Sequence, residues 1–269
     1  MARAIRVAAI SVSTFDGMVS DNYARALRLG EVSLRENPDI VLFPEAFAAG
    51  YCCADLTPYR ETIGSEHISQ FQQLSKNGNC LVVVGFLETA DRGLRNAAAL
   101  FEKGEHIGTH YKSTLWPDDE RPHRDERRLM IPGEGIEVFQ TSLGKCSVLI
   151  CYENMIEENW DAAREADFIL SPYNCEGDPS KYSLAGSKRI GKPSAWADRT
   201  GTVYCGEGEL PTTGTEGVVG GNGKIVGSLT RASGYMPNLG TAGMVDAKGE
   251  MIASSTPGVE DIVVSNITI

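Results

Sequence analysis

Hydrophobic residues fall into short runs along the chain, and several of these runs lack the alternation of apolar and polar positions that marks a half-buried strand. A continuous apolar run is typical of a strand buried on both faces of its sheet. The runs therefore predict strands inside an α/β domain. They lie at residues 5–10, 40–43, 81–86, 97–101, 146–151, 168–170, 218–219 and 262–264.

Apolar residues at helical spacing fill segments between several of these runs. Residues 20–36 predict a first helix, which Asn37-Pro38-Asp39 ends because a proline disfavours helical backbone in the residue before it. Residues 61–77 predict a second helix that stops at Asn77-Gly78-Asn79, and residues 157–165 predict a third. The chain is thus expected to open with a strand–helix–strand unit.

Glycine becomes frequent from Gly201 onward, and helical periodicity fades there. Gly220-Gly221-Asn222-Gly223 predicts a tight turn between two strands, so this part is expected to form hairpins. We find no internal repeat, linker or low-complexity block. Strands that alternate with helices early, followed by hairpins, favour one α/β sandwich with a mixed sheet over residues 1–269. The number of layers stays open, because periodicity does not define it.

The composition fits a globular chain with a sizeable core, since 42% of the 269 residues are hydrophobic and 23% are charged. The formal charge of −11 argues against broad electrostatic binding of nucleic acid or anionic membranes. The N-terminal apolar run is too short for a signal peptide, and no stretch approaches the roughly 20 apolar residues of a membrane span. A cytoplasmic protein is predicted.

The seven cysteines are an odd number, and the adjacent Cys52 and Cys53 have no partner at the spacing of a zinc or redox motif. The four histidines form no metal-ligand pattern. Glycine clusters at residues 206–208 and 220–223 lack the lysine of a phosphate-binding loop, so hairpin turns explain them. We therefore expect a chain from a reducing compartment that uses no metal and no cofactor.

Three side chains with acid, base or nucleophilic chemistry stand where predicted strands or turns end: Glu45, Lys112 and Cys151. Each has an ordinary explanation when taken alone, as a cap or surface carboxylate, a solvated lysine and an inert core thiol. Together they indicate covalent catalysis. A carboxylate takes the thiol proton, while an ammonium offsets the charge of the carboxylate and steadies a tetrahedral oxyanion.

The segment around Cys151 is expected to turn from a strand into a helix. This geometry exposes a nucleophile above the sheet and points the next backbone N–H groups, that of Tyr152 included, at a developing oxyanion. The N-terminus of the helix is expected to favour the thiolate form of Cys151.

These residues occur in segments that resemble the signatures of the nitrilase, or carbon–nitrogen hydrolase, superfamily. The resemblance rests on the order and spacing of the segments, which run through most of the chain. The signature segments are Phe43-Pro44-Glu45, Tyr111-Lys112 with Leu115, and Ile150-Cys151-Tyr152-Glu153, and the accompanying segments are Val84-Gly85-Phe86-Leu87-Glu88, Arg95-Asn96-Ala97-Ala98, Gly104, Pro132-Gly133 and residues 166–172.

The resemblance implies a four-layer αββα sandwich with two mixed β-sheets, in chains that form a homodimer or a larger homo-oligomer. It implies that Glu45 takes the proton of the Cys151 thiol, returns it to the departing amine and then activates water. The same chemistry needs no metal.

The resemblance also implies a second glutamate near the lysine. The family often carries it seven residues before the glycine of the Pro-Gly step, which is Glu126 in this chain. Glu126 would orient the substrate or the Lys112 ammonium. Glu120 and Asp125 are its rivals, and a solvated loop is the competing interpretation of this highly charged run.

The chain departs from the family pattern in four places. An aromatic-Pro-Glu step usually follows the nucleophile, where this chain has Met155-Ile156-Glu157. Residues 188–192 and 198–201 replace an Arg-Ala-x-Glu-Asn helix end and an Asn-x-x-Gly strand. True nitrilases tend to place Trp directly after the nucleophile, and this chain has Tyr152, which favours an amidase or N-carbamoyl amidohydrolase.

Segments that follow strand ends are expected to converge on the site and to contact the substrate, a small non-peptide amide or carbamoyl compound. A nitrile hydrolase with the same triad, an acyl-transferase and a non-catalytic binding or scaffold protein are the alternative functions. Each substrate-binding candidate has a core position as its alternative. The candidates are Tyr51, Trp116, Tyr152, Tyr173, Asn174 and Cys175, with Trp196 as a further aromatic residue near the rim.

Overall fold

The computed structural model describes residues 2–50, 56–120, 124–204 and 235–269. Strands and helices alternate through much of the chain. The strands are β1 (Ala4–Ser11), β2 (Ser13–Phe15), β3 (Ile40–Leu42), β4 (Leu81–Ala90), β5 (Gly93–Glu102), β6 (Glu105–Tyr111), β7 (Val138–Thr141), β8 (Gly144–Val148), β9 (Phe168–Tyr173), β10 (Ser194–Asp198), β11 (Thr200–Tyr204), β12 (Tyr235–Leu239), β13 (Ala242–Val245), β14 (Met251–Ser254) and β15 (Asp261–Thr268). The helices are α1 (Val19–Ser33), α2 (Glu66–Gly78), α3 (Glu126–Leu129), α4 (Glu157–Ala162) and α5 (Ser180–Ile190), and short 3₁₀ turns lie at Leu34–Glu36, Thr57–Tyr59, Cys151–Met155 and Ala163–Glu165.

Two six-stranded mixed sheets share one pattern of strand directions. Their orders are β15-β1-β3-β4-β5-β6 and β7-β8-β9-β10-β13-β14. In each sheet the second, third and fourth strands run parallel, and the remaining neighbours pair antiparallel. The parallel strands require crossovers, which α1 and α2 supply in one sheet and α4 and α5 in the other. A smaller, three-stranded sheet has the order β12-β11-β2. Its strands β2 and β11 come directly after β1 and β10 in the chain.

The two large sheets pack face to face, and a helical layer covers each outer face. Buried side chains from both sheets, such as Val83 and Leu170, share one core between them. On one outer face Phe71 of α2 meets Phe43 edge to face, with ring centroids 4.9 Å apart. On the other, a Cβ atom at Gly186 of α5 would lie 1.9 Å from the Trp160 ring, so glycine permits this close helix packing. The expected four-layer αββα sandwich is confirmed.

Several predicted boundaries are wrong for local reasons. The second helix begins at Glu66 instead of residue 61, because the Glu61 backbone N–H donates to the Leu87 carbonyl beside β4. The strand predicted for 146–151 ends at Val148, because Cys151 has a φ of 46° that no ladder accommodates. The predicted helices at 20–36 and 157–165 each end in a 3₁₀ turn.

Other elements have no counterpart in the sequence-based prediction. The pattern misses α5 and β10, and α5 consists largely of small and polar residues. The predicted strand at 218–219 and the turn at 220–223 lie outside the described residues. Within the described ranges no helix is long and apolar enough to span a membrane.

The parallel strands bring their carboxyl ends together at one edge of the sandwich. Glu45 follows β3, Cys151 follows β8 and Asn174 follows β9. The carboxyl ends of parallel strands commonly form the ligand-binding edge of α/β folds. The candidate site is therefore built from both sheets.

Candidate active site

The turn after β3 holds Glu45 in a buried position. Its side chain is 1% exposed, and its backbone N–H donates to the Tyr173 carbonyl of the other sheet at 3.1 Å. Gly85 on the neighbouring β4 leaves room for this turn, because a Cβ atom there would lie 2.3 Å from the Pro44 carbonyl oxygen and 2.7 Å from the Glu45 Cα. The carboxylate position thus depends on a glycine one strand away.

Replacing Gly85 with alanine is expected to displace Glu45 and to destabilise the fold by roughly 1–3 kcal/mol, because the new methyl group overlaps backbone atoms that cannot rotate away. Thermal unfolding and catalytic rate would report the two effects. Gly64→Ala is the matched control, since no atom lies within 4 Å of a Cβ at that position. A Gly85→Ala variant as stable and active as Gly64→Ala would contradict this account.

Lys112 follows β6 and is fully enclosed between two carboxylates. Its Nζ donates to Glu45 Oε1 at 2.8 Å and to Glu126 Oε1 at 2.9 Å. Asn96 of β5 supports the same cluster, because its Nδ2 donates to Glu45 Oε1 at 2.6 Å and to Glu126 Oε1 at 3.2 Å. The backbone N–H of Lys112 donates to the Asn96 carbonyl, and its carbonyl accepts from Gly133. The ammonium is therefore fixed from both backbone and side chain.

The structure places Glu126, and neither of its rivals, against the lysine. Glu126 opens α3 and also accepts the Trp116 backbone N–H through Oε2 at 2.6 Å. Asp125 instead caps α3 and binds Arg127, while Glu120 is exposed. The competing interpretation of this run as a solvated loop does not hold for Glu126, which is buried.

Cys151 sits on a sharp turn at the start of the 3₁₀ segment. Its positive φ is a conformation that non-glycine residues rarely adopt and that clusters at functional sites. Asn154 stabilises the turn, because its Nδ2 donates to the carbonyls of Leu149 and Cys151 and its Oδ1 accepts from Ser171. The thiol accepts a backbone hydrogen bond from Asn174. The predicted turn from strand to helix is thus present, in a tighter form.

The electrostatics favour a neutral thiol at rest, in contrast to the thiolate predicted from the helix terminus. Burial raises the pKa of Cys151 well above its ordinary value, and Glu45 raises it further, against the opposing effects of Lys112 and the Asn174 N–H. Burial and the charge of Glu126 also raise the pKa of Glu45, although Lys112 opposes them. Glu45 is therefore a stronger base than an exposed glutamate, which suits removal of the thiol proton during attack.

Lys112 stays charged although it is buried. Burial alone would lower its pKa, but the carboxylates of Glu126 and Glu45 raise it above the ordinary value of lysine. A permanent cation beside the thiol can stabilise negative charge on the sulfur or on a bound substrate.

Glu153 ties the turn at Cys151–Met155, here called the nucleophile turn, to the segment between Lys112 and α3, here called the lysine loop. The sequence analysis assigned Glu153 no role. Its Oε2 accepts the Ile150 backbone N–H at 2.7 Å and contacts His110 Nε2 at 2.9 Å, while its Oε1 accepts from the Ser113 N–H at 2.7 Å and hydroxyl at 2.8 Å. Burial alone would raise the pKa of Glu153, but His110 and these donors lower it. The sequence signal that could have revealed this role is an acidic residue two positions after the candidate nucleophile.

Exchanging Glu153 for glutamine is expected to slow alkylation of Cys151 and turnover by tenfold to about a hundredfold, because an amide group would face the Ile150 N–H and shift the nucleophile turn. Stability should fall by roughly 1–3 kcal/mol. Iodoacetamide labelling and urea unfolding would measure both. Glu137→Gln is the control, as Glu137 is exposed and lies 3.9 Å from His110 Nδ1. Labelling at the wild-type rate in Glu153→Gln would remove the positioning role.

A cavity of about 220 Å³ joins these groups. Three predicted substrate-binding residues line it, namely Trp116, Asn174 and Cys175. Arg124, Met155 and Glu176 line it as well and were not predicted. The lining formed by described residues is Glu45, Lys112, Trp116, Arg124, Glu126, Cys151, Met155, Asn174, Cys175 and Glu176.

The side chains of Tyr152, Tyr173 and Trp196 lie outside this lining. The Tyr173 side chain is fully buried in the core between the sheets, because β9 points it inward. Tyr152 is not part of the described lining and packs edge to face on Trp116, with ring centroids 5.0 Å apart. Trp196 is likewise a core residue, and Tyr51 lies outside the described residues.

No group of three or more His, Cys, Asp or Glu within the described ranges is placed to hold a metal ion. The expectation that catalysis uses neither metal nor cofactor stays a prediction. The sulfur of Cys175, the second thiol of the cavity, lies 3.1 Å from both Asp198 Oδ2 and the Gly177 carbonyl oxygen, which share its single S–H donor.

Comparison with known proteins assigns the family. The family model described as carbon–nitrogen hydrolase matches residues 6–269. The chain belongs to the carbon–nitrogen hydrolase family. A solved carbon–nitrogen hydrolase from Helicobacter pylori superposes with a TM-score of 0.78 at 19% identity, over 98% of this chain and 89% of that one, which shows the shared nitrilase fold.

Two relatives found by sequence similarity have different names. An N-carbamoylputrescine amidase from Solanum tuberosum is 31% identical over 68% of this carbon–nitrogen hydrolase chain and 62% of its own length. A glutamine-dependent NAD(+) synthetase from Acinetobacter baylyi is 29% identical over 55% of this chain and 27% of its own. The chain thus spans less than two thirds of either relative.

Proposed function

We propose that the chain hydrolyses small amides or N-carbamoyl compounds through a thioester on Cys151. The observation that carries the proposal is one small cavity whose wall holds a thiol, a buried carboxylate and a buried ammonium, with Lys112 Nζ 2.8 Å from Glu45 Oε1. Nucleophile, base and cation facing one volume are the parts that acyl transfer needs.

In the first half of the reaction, Glu45 takes the proton of the Cys151 thiol as the sulfur attacks the carbonyl carbon. The carbonyl π electrons move to oxygen, and the Lys112 ammonium and the Tyr152 backbone N–H stabilise the oxyanion. Glu45 then gives its proton to the nitrogen. The carbon–nitrogen bond breaks, ammonia or an amine leaves, and the acyl group remains on sulfur as a thioester.

In the second half, water takes the place of the amine. Glu45 removes a proton from this water while the water oxygen attacks the thioester carbon. The second tetrahedral intermediate then collapses with cleavage of the carbon–sulfur bond. The proton on Glu45 returns to the Cys151 sulfur. Glu126 holds the Lys112 ammonium in place through both halves.

An amide or carbamoyl substrate is favoured over a nitrile by two observations. Tyr152 follows the nucleophile where true nitrilases tend to have Trp. The relative from Solanum tuberosum is named an amidase of a carbamoyl compound.

The test is ammonia release from small amides, N-carbamoyl compounds and matched nitriles, with intact-protein mass recorded in parallel. We expect ammonia from amides or carbamoyl compounds and an acyl adduct that peptide mapping places on Cys151. Ammonia from a nitrile but not from its amide would favour a nitrile hydrolase. Silence throughout, with Cys151 inert to a small electrophile, would support a non-catalytic protein.

The assembly, the location and the domain organisation stay predictions. A homodimer or larger homo-oligomer is best tested by molar mass from light scattering. The cytoplasmic location and the single domain over residues 1–269 call for cell fractionation and limited proteolysis.

A further inference from the structure

The cavity carries a second pair of charged side chains that the proposed chemistry does not use. Arg124, just before α3, forms an ion pair with Glu176, just after β9, and the Nη1 and Oε1 atoms are 2.5 Å apart. Both residues line the same cavity as Cys151. The pair therefore bridges the lysine loop and the segment that supplies Asn174 and Cys175.

The two members of the pair are unequally buried. The Glu176 side chain is 39% exposed and lies at the solvent edge of the cavity, whereas the Arg124 side chain is only 13% exposed. The proposed catalysis does not require the pair, because Lys112 already has two carboxylate partners. The pair places one cation and one anion on the cavity wall.

We propose that Arg124 and Glu176 bind the end of the substrate opposite the scissile bond, and that this end is a zwitterionic amino acid group. The substrate carboxylate lies on Arg124 and its ammonium on Glu176. The inference rests on the proposed function, and it narrows the substrate class to an α-amino acid with a terminal amide or carbamoyl group.

The unequal burial of the pair favours a carboxylate as the primary requirement. A purely cationic substrate would draw Glu176 away from Arg124. It would also place two cations side by side, its own ammonium and the largely buried Arg124 guanidinium. A neutral substrate leaves the pair closed and gains nothing from it. A zwitterion replaces one ion pair with two, and the planar guanidinium suits bidentate binding of carboxylate.

The dimensions and walls of the cavity fit a short molecule. Its volume of about 220 Å³ lies below the range of pockets that hold drug-sized ligands. Trp116 and Met155 provide apolar surface for a short methylene chain between the two polar ends. A substrate of this kind reaches Cys151 with its amide while its charged end stays at the solvent edge.

The experiment measures binding by calorimetry to the Cys151→Ala protein, which removes turnover from the readout. Four probes share one carbon skeleton: pentanamide, its ω-amino derivative, the monoamide of glutaric acid, and glutamine. We expect glutamine to bind tightest, then the monoamide, with both at least tenfold tighter than pentanamide. The ω-amino derivative should bind no better than pentanamide.

Second-site variants assign the two charges. Adding Arg124→Gln is expected to reduce the affinity ratio between the monoamide and pentanamide by roughly tenfold or more, and Arg124→Lys should restore part of it. Adding Glu176→Gln should remove the advantage of glutamine over the monoamide. Arg128→Gln is the matched control, because Arg128 is an exposed arginine on the same segment and is not part of the described lining.

Equal affinities for the four probes, or failure of glutamine and the monoamide to bind, would overturn the proposal. So would a full affinity ratio in Arg124→Gln. The acyl adduct on wild-type Cys151 is scored separately. An adduct without charge discrimination refutes the zwitterion site and leaves the hydrolase intact, whereas selective binding without any adduct refutes the thioester chemistry alone.

Discussion

Replacing Cys151 with alanine is expected to abolish both ammonia release and acyl-adduct formation, with a loss in turnover on the order of 10⁴-fold or more. The reason is that the covalent pathway loses its only bond-forming atom, while Glu45 and Lys112 keep their own contacts. The substitution removes a single sulfur atom, so we expect a change in unfolding free energy of about 1 kcal/mol. Ammonia release, intact-protein mass and thermal unfolding are the measurements.

Two other cysteines sharpen this test. Cys146→Ala is the matched control, since Cys146 lies in β8, the strand that leads to Cys151, and is buried in the core between the sheets. That variant should keep the adduct. Cys175→Ala should keep it as well, because Cys175 lines the cavity but is not the proposed nucleophile. An adduct that persists in Cys151→Ala and disappears in Cys175→Ala would move the nucleophile to Cys175.

The second large effect is expected from Glu45→Gln, which should slow formation of the adduct by about 10²- to 10⁴-fold. Glutamine retains an oxygen for the Asn96 bond but cannot take a proton from the Cys151 thiol. Because burial raises the pKa of Glu45, the carboxylate of the native enzyme gains its proton at a higher pH than an exposed glutamate as the pH falls. Adduct formation should therefore decline on the acid side earlier than for an ordinary glutamate, and this decline should vanish in Glu45→Gln.

Single-turnover adduct formation, followed by mass across a pH series, measures both the rate and its pH dependence. Glu120→Gln is the control, because Glu120 is exposed. It should leave rate and profile unchanged. Wild-type rates in Glu45→Gln, or an unaltered acid limb, would remove Glu45 from the role of base.

Much of the scaffold follows from local pattern. The apolar runs at residues 5–10, 40–43 and 81–86 match β1, β3 and β4 of the sheet that carries Glu45. These strands are visible because each is buried on both faces, and a doubly buried strand must be apolar throughout. By contrast, the hydrophobic pattern does not reveal α5. This helix packs through Gly186 against the Trp160 ring, so its buried face contains small residues and shows no helical repeat of apolar ones.

Some of the predicted site residues likewise follow from the sequence, and others depend on the tertiary structure. Trp116 and Asn174 were predicted to reach the cavity because they follow strand ends, and they line it. Tyr173 met the same criterion and is buried instead, because its place in β9 directs the side chain to the core. Position at a strand end thus locates the backbone near the site without deciding where a side chain points.

By itself the sequence determined the class of fold, the buried strands and the candidate set Glu45, Lys112 and Cys151, since these depend on local period and on ordered motifs. Only the tertiary structure decided that Glu126 contacts the lysine, that Glu153 joins the nucleophile turn to the lysine loop, and that Arg124 meets Glu176 at the cavity. Each of these contacts links loops from different strands, and the distance between loops depends on how two whole sheets pack. Hydrophobic period records burial along a segment, and it carries no information on which distant segment lies opposite.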